Sequence, residues 1–194
     1  AKDTPILLDP QNPEPADLVV LESTYGDRLH DDRVQRIQRL GRVLNRALSD
    51  GGKVFIPAFA LGRTQELLYE MDRLVSDLEY HGAFPMLGSD STVPVFVDTP
   101  LGLNITKIYA GLNEFWDREA GQLYRNGDHP LKFDGLYGVE RSRDHRELMR
   151  IPGPAVIIAG SGMCNGGRIV NHLKAGLAAP QNDVCFVGYQ ADGT

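Results

Sequence analysis

Three stretches carry residue types that could do chemistry where a short apolar run ends. Leu18-Val19-Val20-Leu21 runs into Glu22-Ser23-Thr24-Tyr25-Gly26, Lys53-Val54-Phe55-Ile56-Pro57 into Ala58-Phe59-Ala60-Leu61-Gly62-Arg63, and Pro154–Ala159 into Gly160-Ser161-Gly162-Met163-Cys164-Asn165-Gly166-Gly167. An acid at the point where an apolar strand meets a small-residue turn stands where open α/β sheets place their ligand sites. From that stretch alone, Glu22 serves equally as a site acid or as a turn cap. A glycine loop ahead of a helical pattern offers backbone N–H groups and the positive end of a helix dipole to an anionic oxygen. The steric alternative is that glycines let a helix pack tightly on its strand. Arg63 could grip a phosphate bidentately, or hold Glu66 in a structural salt bridge.

Other chemistries find little support. The five histidines, His30, His81, His129, His145 and His172, make no HxH, HxxxH or HxxE pairing, so no metal ligand is assigned within the chain. Ser161 sits on a strand-to-helix turn, but Gly160-Ser161-Gly162 lacks the first spacing of a GxSxG elbow. The pattern Gly160-x-Gly162-x-x-x-Gly166 is one residue longer than the dinucleotide fingerprint and lies on a late strand. Cys164 and Cys185 form no CxxC cluster, which makes a reducing cytoplasm the default. A net charge of −6 argues against a generic nucleic-acid coating surface and leaves room for a local basic groove. Arg39, Arg42 and Arg46, flanked by Arg33 and Arg36, would line one face of a helix, as a solvated outer face or as a phosphate track. No apolar run reaches the roughly 20 residues of a membrane span, and the N-terminus lacks the layout of a signal peptide.

The elements that would position these residues alternate. Strands are expected at 18–21, 53–57, 94–98 and 184–188, and at the apolar run before Gly160, with a weaker one near 135–139. A helix capped by Asp31 and Asp32 should run to about Leu48, burying Val34, Ile37, Leu40, Leu44 and Leu48. A second, with Thr64 as N-cap, buries Leu67, Leu68, Met71, Leu74, Val75 and Leu78. A third starts at Thr99-Pro100, with proline in its tolerated first turn, and continues its apolar stripe to Trp116. Residues 121–140 read as irregular, and helices follow over 142–149 and from the glycine loop to about 178. The alternation predicts an α/β fold, a mainly parallel sheet with helices on both faces.

Taken in order, these segments resemble the β-CASP nucleases of the metallo-β-lactamase superfamily. Val20–His30 is similar to that family's ESTYG segment, Gly51–Leu67 to its next block, and Val97-Asp98-Thr99-Pro100-Leu101 to its DSPMA turn. Pro154–Ile169 and Phe186–Thr194 are similar to its last two blocks, so the resemblance spans nearly the whole chain. It implies a Rossmann-like β-CASP domain over 27–194, with 1–26 a linker and strand from the edge of a metallo-β-lactamase domain of the same polypeptide. RNA is the implied substrate, as for RNase J and the nuclease subunit of the cleavage and polyadenylation factor. Hydrolysis would use a hydroxide on two zinc ions.

Glu22 takes the place of the family's motif A acid, which supports a histidine thought to protonate the leaving oxygen. The implied RNA contacts are Arg63, Ser161, Gly162, Tyr25, Arg28 and His30. The zinc-binding HxHxDH run would precede this chain and two histidine motifs would follow it, so the zinc ligands are expected outside it and the chain alone should be inactive. His172 matches neither motif and is expected on a helix surface or interface. A homodimer is left open. Two other readings stand beside this one. The first is a non-catalytic nucleotide- or dinucleotide-binding module, suggested by the 160–167 loop. The second is a DNA-directed repair nuclease, although the GSGM…GGRI and GYQADGT blocks favour RNA.

Overall fold

The computed structural model describes residues 4–29, 34–88 and 91–194. His30, Asp31 and Asp32 lie outside the described residues, and with them the expected cap of the first helix and one expected RNA contact. In chain order the elements are α1 (Arg36–Leu48), β1 (Lys53–Pro57), α2 (Arg63–Ser76), α3 (Leu78–His81), β2 (Val95–Asp98), α4 (Pro100–Gly111), a 3₁₀ turn (Asn113–Phe115), α5 (Arg118–Arg125), β3 (Leu136–Gly138), α6 (Ser142–Leu148), β4 (Ala155–Ala159), α7 (Gly167–Gly176) and β5 (Asp183–Val184). The strands form one sheet in the order β3-β2-β4-β1-β5, and every strand pair is parallel.

The strands need no polar face because both sides are covered, as in parallel sheets generally. Alternation sends Val54, Ile56, Val95, Val97, Val156 and Ile158 to one side, into a core shared with Leu44 and Leu48 of α1 and Leu67, Leu68 and Met71 of α2. Phe55, Ile157 and Ala159 point to the other side, against Leu148 of α6 and Ile169 of α7. Between β1 and β3 the chain steps toward one edge of the sheet, and from β3 through β4 to β5 it steps toward the other. Right-handed crossovers then leave from opposite faces. β4 therefore lies between β1 and β2, whose following helices cover the opposite side. Its C-terminal end is a topological switch point, where open sheets form a crevice.

Several expectations are corrected. Residues 18–21 form no strand, and Leu18, Val19, Val20 and Leu21 are 57–87% exposed. An extended segment is a strand only when a neighbour satisfies its N–H and C=O groups, and no described residue pairs with this one. Ile6, upstream, is instead 1% exposed, and Leu7 bridges Trp116. Val34 is 76% exposed rather than in the buried stripe, because α1 begins at Arg36.

Gly62, not Thr64, caps α2; its N–H donates to Gln65 Oε1 at 2.8 Å. α5 runs into the stretch read as irregular, and it starts where Asp117 accepts from Ala120 N–H at 2.8 Å. That cap followed by Glu119 was the available signal. The last strand shrinks to Asp183–Val184. Among the described residues no helix is long and apolar enough to cross a membrane.

Candidate functional site

The loops that leave β1 and β4 touch at the switch point. Ala58 N–H donates to Ala159 O at 3.0 Å, and the Thr64 hydroxyl donates to Phe59 O at 2.7 Å, pinning the loop after β1. A Cβ on Gly162 would lie 2.7 Å from the Phe59 ring and 2.9 Å from its backbone nitrogen. Only glycine lets the two loops come this close. Gln190, beyond β5, closes the cluster by donating its side-chain N–H to Gly162 O at 2.7 Å.

Beside this junction lies a groove of about 800 Å³ whose walls include Tyr25, Arg36, Arg39, Arg63, Glu66 and Phe186. Among the residues expected to contact RNA, the groove brings Tyr25 and Arg63 together, and Tyr25 also sits edge-on to Tyr189 with ring centroids 5.7 Å apart. Arg63 is held by Glu66 Oε2 at 2.5 Å with 44% of its side chain exposed, so the salt-bridge reading is realised while the guanidinium still lines the groove. Arg28 is exposed and bound through two nitrogens to Asp27. Glu22 is exposed and lines neither the groove nor the junction; its Oε2 accepts the Thr24 N–H at 3.1 Å. That backbone hydrogen bond holds its carboxyl below the usual range.

The 160–167 loop is not an open cradle. Ser161 N–H donates to Gly166 O, Cys164 N–H to Ser161 O and Ile169 N–H to Gly160 O, and the Ser161 hydroxyl donates to Asn165 Oδ1 at 2.7 Å. Three of the N–H groups that could meet an anion are already spent. Gly162 is buried and acts as a wall. These bonds make the loop a self-braced turn rather than an open row of N–H groups.

The densest polar cluster was missed by the sequence reading. Asp98 ends β2 on the same face as Phe96, toward α6 and α7. It is fully buried, yet its Oδ2 accepts from His145 Nδ1 at 2.5 Å and His172 Nε2 at 2.6 Å, while Arg168 donates to its Oδ1 at 2.7 Å. Burial would raise this carboxyl, but the hydrogen bonds from His172, His145 and Arg168 outweigh it and hold the group below the ordinary value. His172 is 2% exposed, which corrects its expected place on a helix surface. Its partner lies 74 residues away and that of His145 lies 47 away, so no local spacing could reveal the cluster. The one available signal was the parity of an acid ending an apolar strand.

Among the described residues, Asp98, His145 and His172 are the one group of this kind able to converge on a metal ion, and they do not fit a zinc centre. Two zinc ligands with bonds of about 2.0–2.1 Å sit roughly 3.3 Å apart, whereas both ring nitrogens are at hydrogen-bonding distance from one oxygen. Asn171 Nδ2 lies 3.1 Å from His145 Nε2, so the outer nitrogen of that ring already has a neighbour of its own. The Arg168 charge already balances the carboxylate, so a cation would be uncompensated. The cluster is a buried hydrogen-bonded knot.

The fold and this junction define an open α/β domain in which the loops after β1 and β4 meet at the switch point, with no complete set of reacting groups among the described residues. Residues 64–194 match the family model described as the Beta-Casp domain, and the chain belongs to that family. It is 39% identical to the ribonuclease TTHA0252 of Thermus thermophilus over 193 residues, 99% of this chain and 42% of that protein. It is 32% identical to the transcription termination factor FttA of Pyrococcus horikoshii over 193 residues, covering 97% of this chain and 28% of the relative. The FttA of Methanocaldococcus jannaschii is 34% identical over 180 residues, covering 91% and 26%. The chain thus spans less than half the length of these relatives.

Proposed function

We propose that this chain is the capping and RNA-binding part of a cytoplasmic ribonuclease that hydrolyses RNA phosphodiester bonds. Its two zinc ions would be held by a metallo-β-lactamase domain of the same polypeptide, outside these residues. The single observation that carries the reading is the meeting of the β1 and β4 loops at the switch point, beside a groove walled by Arg63 and Tyr25, in a chain of the Beta-Casp domain family. A groove that combines guanidinium groups with exposed rings suits a single-stranded phosphate backbone and its bases. The name of the Thermus relative supports RNA over DNA.

In this reading residues 18–26 carry Glu22 to the reacting end of the cleft, and the exposed apolar side chains of 18–21 are covered by the neighbouring domain. Arg28, Ser161 and Gly162 line the same path, and His30 belongs to it by resemblance. In the intact protein, Glu22→Gln should lower the RNA cleavage rate by roughly 100-fold or more, the scale of acid–base assistance, with little change in RNA affinity. Equal losses in rate and affinity would remove Glu22 from the chemistry. Cleavage of a DNA strand of the same sequence as fast as the RNA would move the reading to the DNA-directed branch.

A further inference from the structure

The buried knot around Asp98 has no place in the reading so far, and its geometry ties it to the loop at the switch point. Asp98 pairs in register with Ala159, the residue from which that loop departs. The loop returns at Gly167-Arg168, and Arg168 is the residue Asp98 holds. Its guanidinium also donates to Val139 O at 2.8 Å and Glu140 O at 2.9 Å. One carboxylate therefore joins the end of β2, the turn after β3, α6 through His145 and α7 through His172. Both feet of the loop are fixed by this arrangement, one by the β2–β4 ladder and one by the seat of Arg168. Between the feet, Ile169 N–H closes on Gly160 O at 2.9 Å, so a shift of Arg168 would be passed directly to Ser161 and Gly162.

We propose that Asp98 is a positioning residue for substrate: its buried carboxylate seats Arg168 and so sets where the 160–166 loop stands against the nucleic acid. The proposal rests on the ribonuclease reading above. The two histidines are part of the device because each sets a ring nitrogen at hydrogen-bonding distance from Asp98 Oδ2, which offsets the burial of the carboxylate. A knot that served stability alone would act equally on every substrate. A positioning knot acts on substrates long enough to meet the loop.

The test uses the full-length protein with two substrates, a single-stranded RNA and the small diester bis-p-nitrophenyl phosphate, which carries no flanking nucleotides to lie along the loop. Asp98→Asn keeps the shape but loses the charge that seats Arg168. It should raise KM for RNA by about tenfold while leaving turnover of the small diester within about twofold, a selective loss of substrate binding. His172→Gln retains a donor and should behave as wild type. His172→Phe keeps the stacking on Phe55, whose ring lies 6.0 Å away, but has no donor, and should follow Asp98→Asn. This pair carries the test if Asp98→Asn does not fold.

Parallel losses on both substrates, an unchanged KM for RNA, or equal damage from Gln and Phe at position 172 would each overturn the proposal. So would metal analysis showing that Asp98→Asn loses one zinc equivalent. A wild-type protein that turns over the small diester but not RNA would overturn the ribonuclease reading itself. Intact RNA cleavage with unselective variants would overturn only the role of Asp98.

Discussion

Gly162→Ala probes the contact on which the site is built. The added Cβ would meet the Phe59 ring at 2.7 and 2.9 Å and the Phe59 backbone nitrogen at 2.9 Å, where ordinary contact begins near 3.4 Å. The ring is 44% exposed and can swing aside. The nitrogen cannot, because Thr64 ties the Phe59 carbonyl twice, through its hydroxyl at 2.7 Å and its N–H at 3.3 Å. The two loops must then part by about half an ångström, and overpacking of this kind costs roughly 1–3 kcal/mol. For a domain of this size each kcal/mol lowers Tm by about 2–4 °C. Thermal unfolding of the intact protein should therefore show a loss of several degrees, accompanied by a higher KM for RNA. Adding Phe59→Ala should recover only part of the loss, since it removes the ring clash and leaves the backbone one. A Gly162→Ala protein with wild-type Tm and KM would refute the apposition of the loops, and complete rescue by Phe59→Ala would assign the whole effect to the ring.

Two further predictions follow from the electrostatics. Asp72 is 2% exposed, and burial, followed by the charge of Asp128, pushes its carboxyl up to about 7. In the unfolded chain it ionises near 3.9, so between about pH 4 and 7 the folded state binds more protons and stability falls as pH rises. Asp72→Asn should accordingly stabilise the protein by about 2–4 kcal/mol above pH 7 and by almost nothing near pH 4; melts at the two pH values check this, and equal shifts at both would contradict it. Arg63→Ala should weaken RNA binding and reduce the slope of log affinity against log salt by about 0.7, the loss of one single-strand phosphate contact. Stability should change by less than about 1 kcal/mol, since the Glu66 pair lies at the partly exposed surface. An unchanged salt slope in a binding titration would leave Arg63 to Glu66 alone.

Much of the fold was legible because its signals are local. Apolar runs of strand length bounded by glycine and proline marked β1, β2 and β4, and helical spacing marked α1, α2 and α7. Their alternation implied a parallel sheet. The exceptions also have local causes. α5 is only 8 residues long, too short for its periodicity to stand out from a polar stretch. Leu18–Leu21 has the composition of a strand, but composition supplies no partner for its backbone.

By itself the sequence determined which chain segments could be strands, where glycine-rich turns follow them, and the ordered blocks that led to the family. Tertiary structure decided which of the candidate residues meet. It placed Tyr25 and Arg63 in one groove, set Gly162 against Phe59, and turned His172 inward onto Asp98. The physical reason is that periodicity reports which face a side chain takes on its own element. Contacts such as Asp98 with His172, separated by 74 residues, depend on the order in which strands are laid into the sheet, and that order follows from crossovers that no local pattern records.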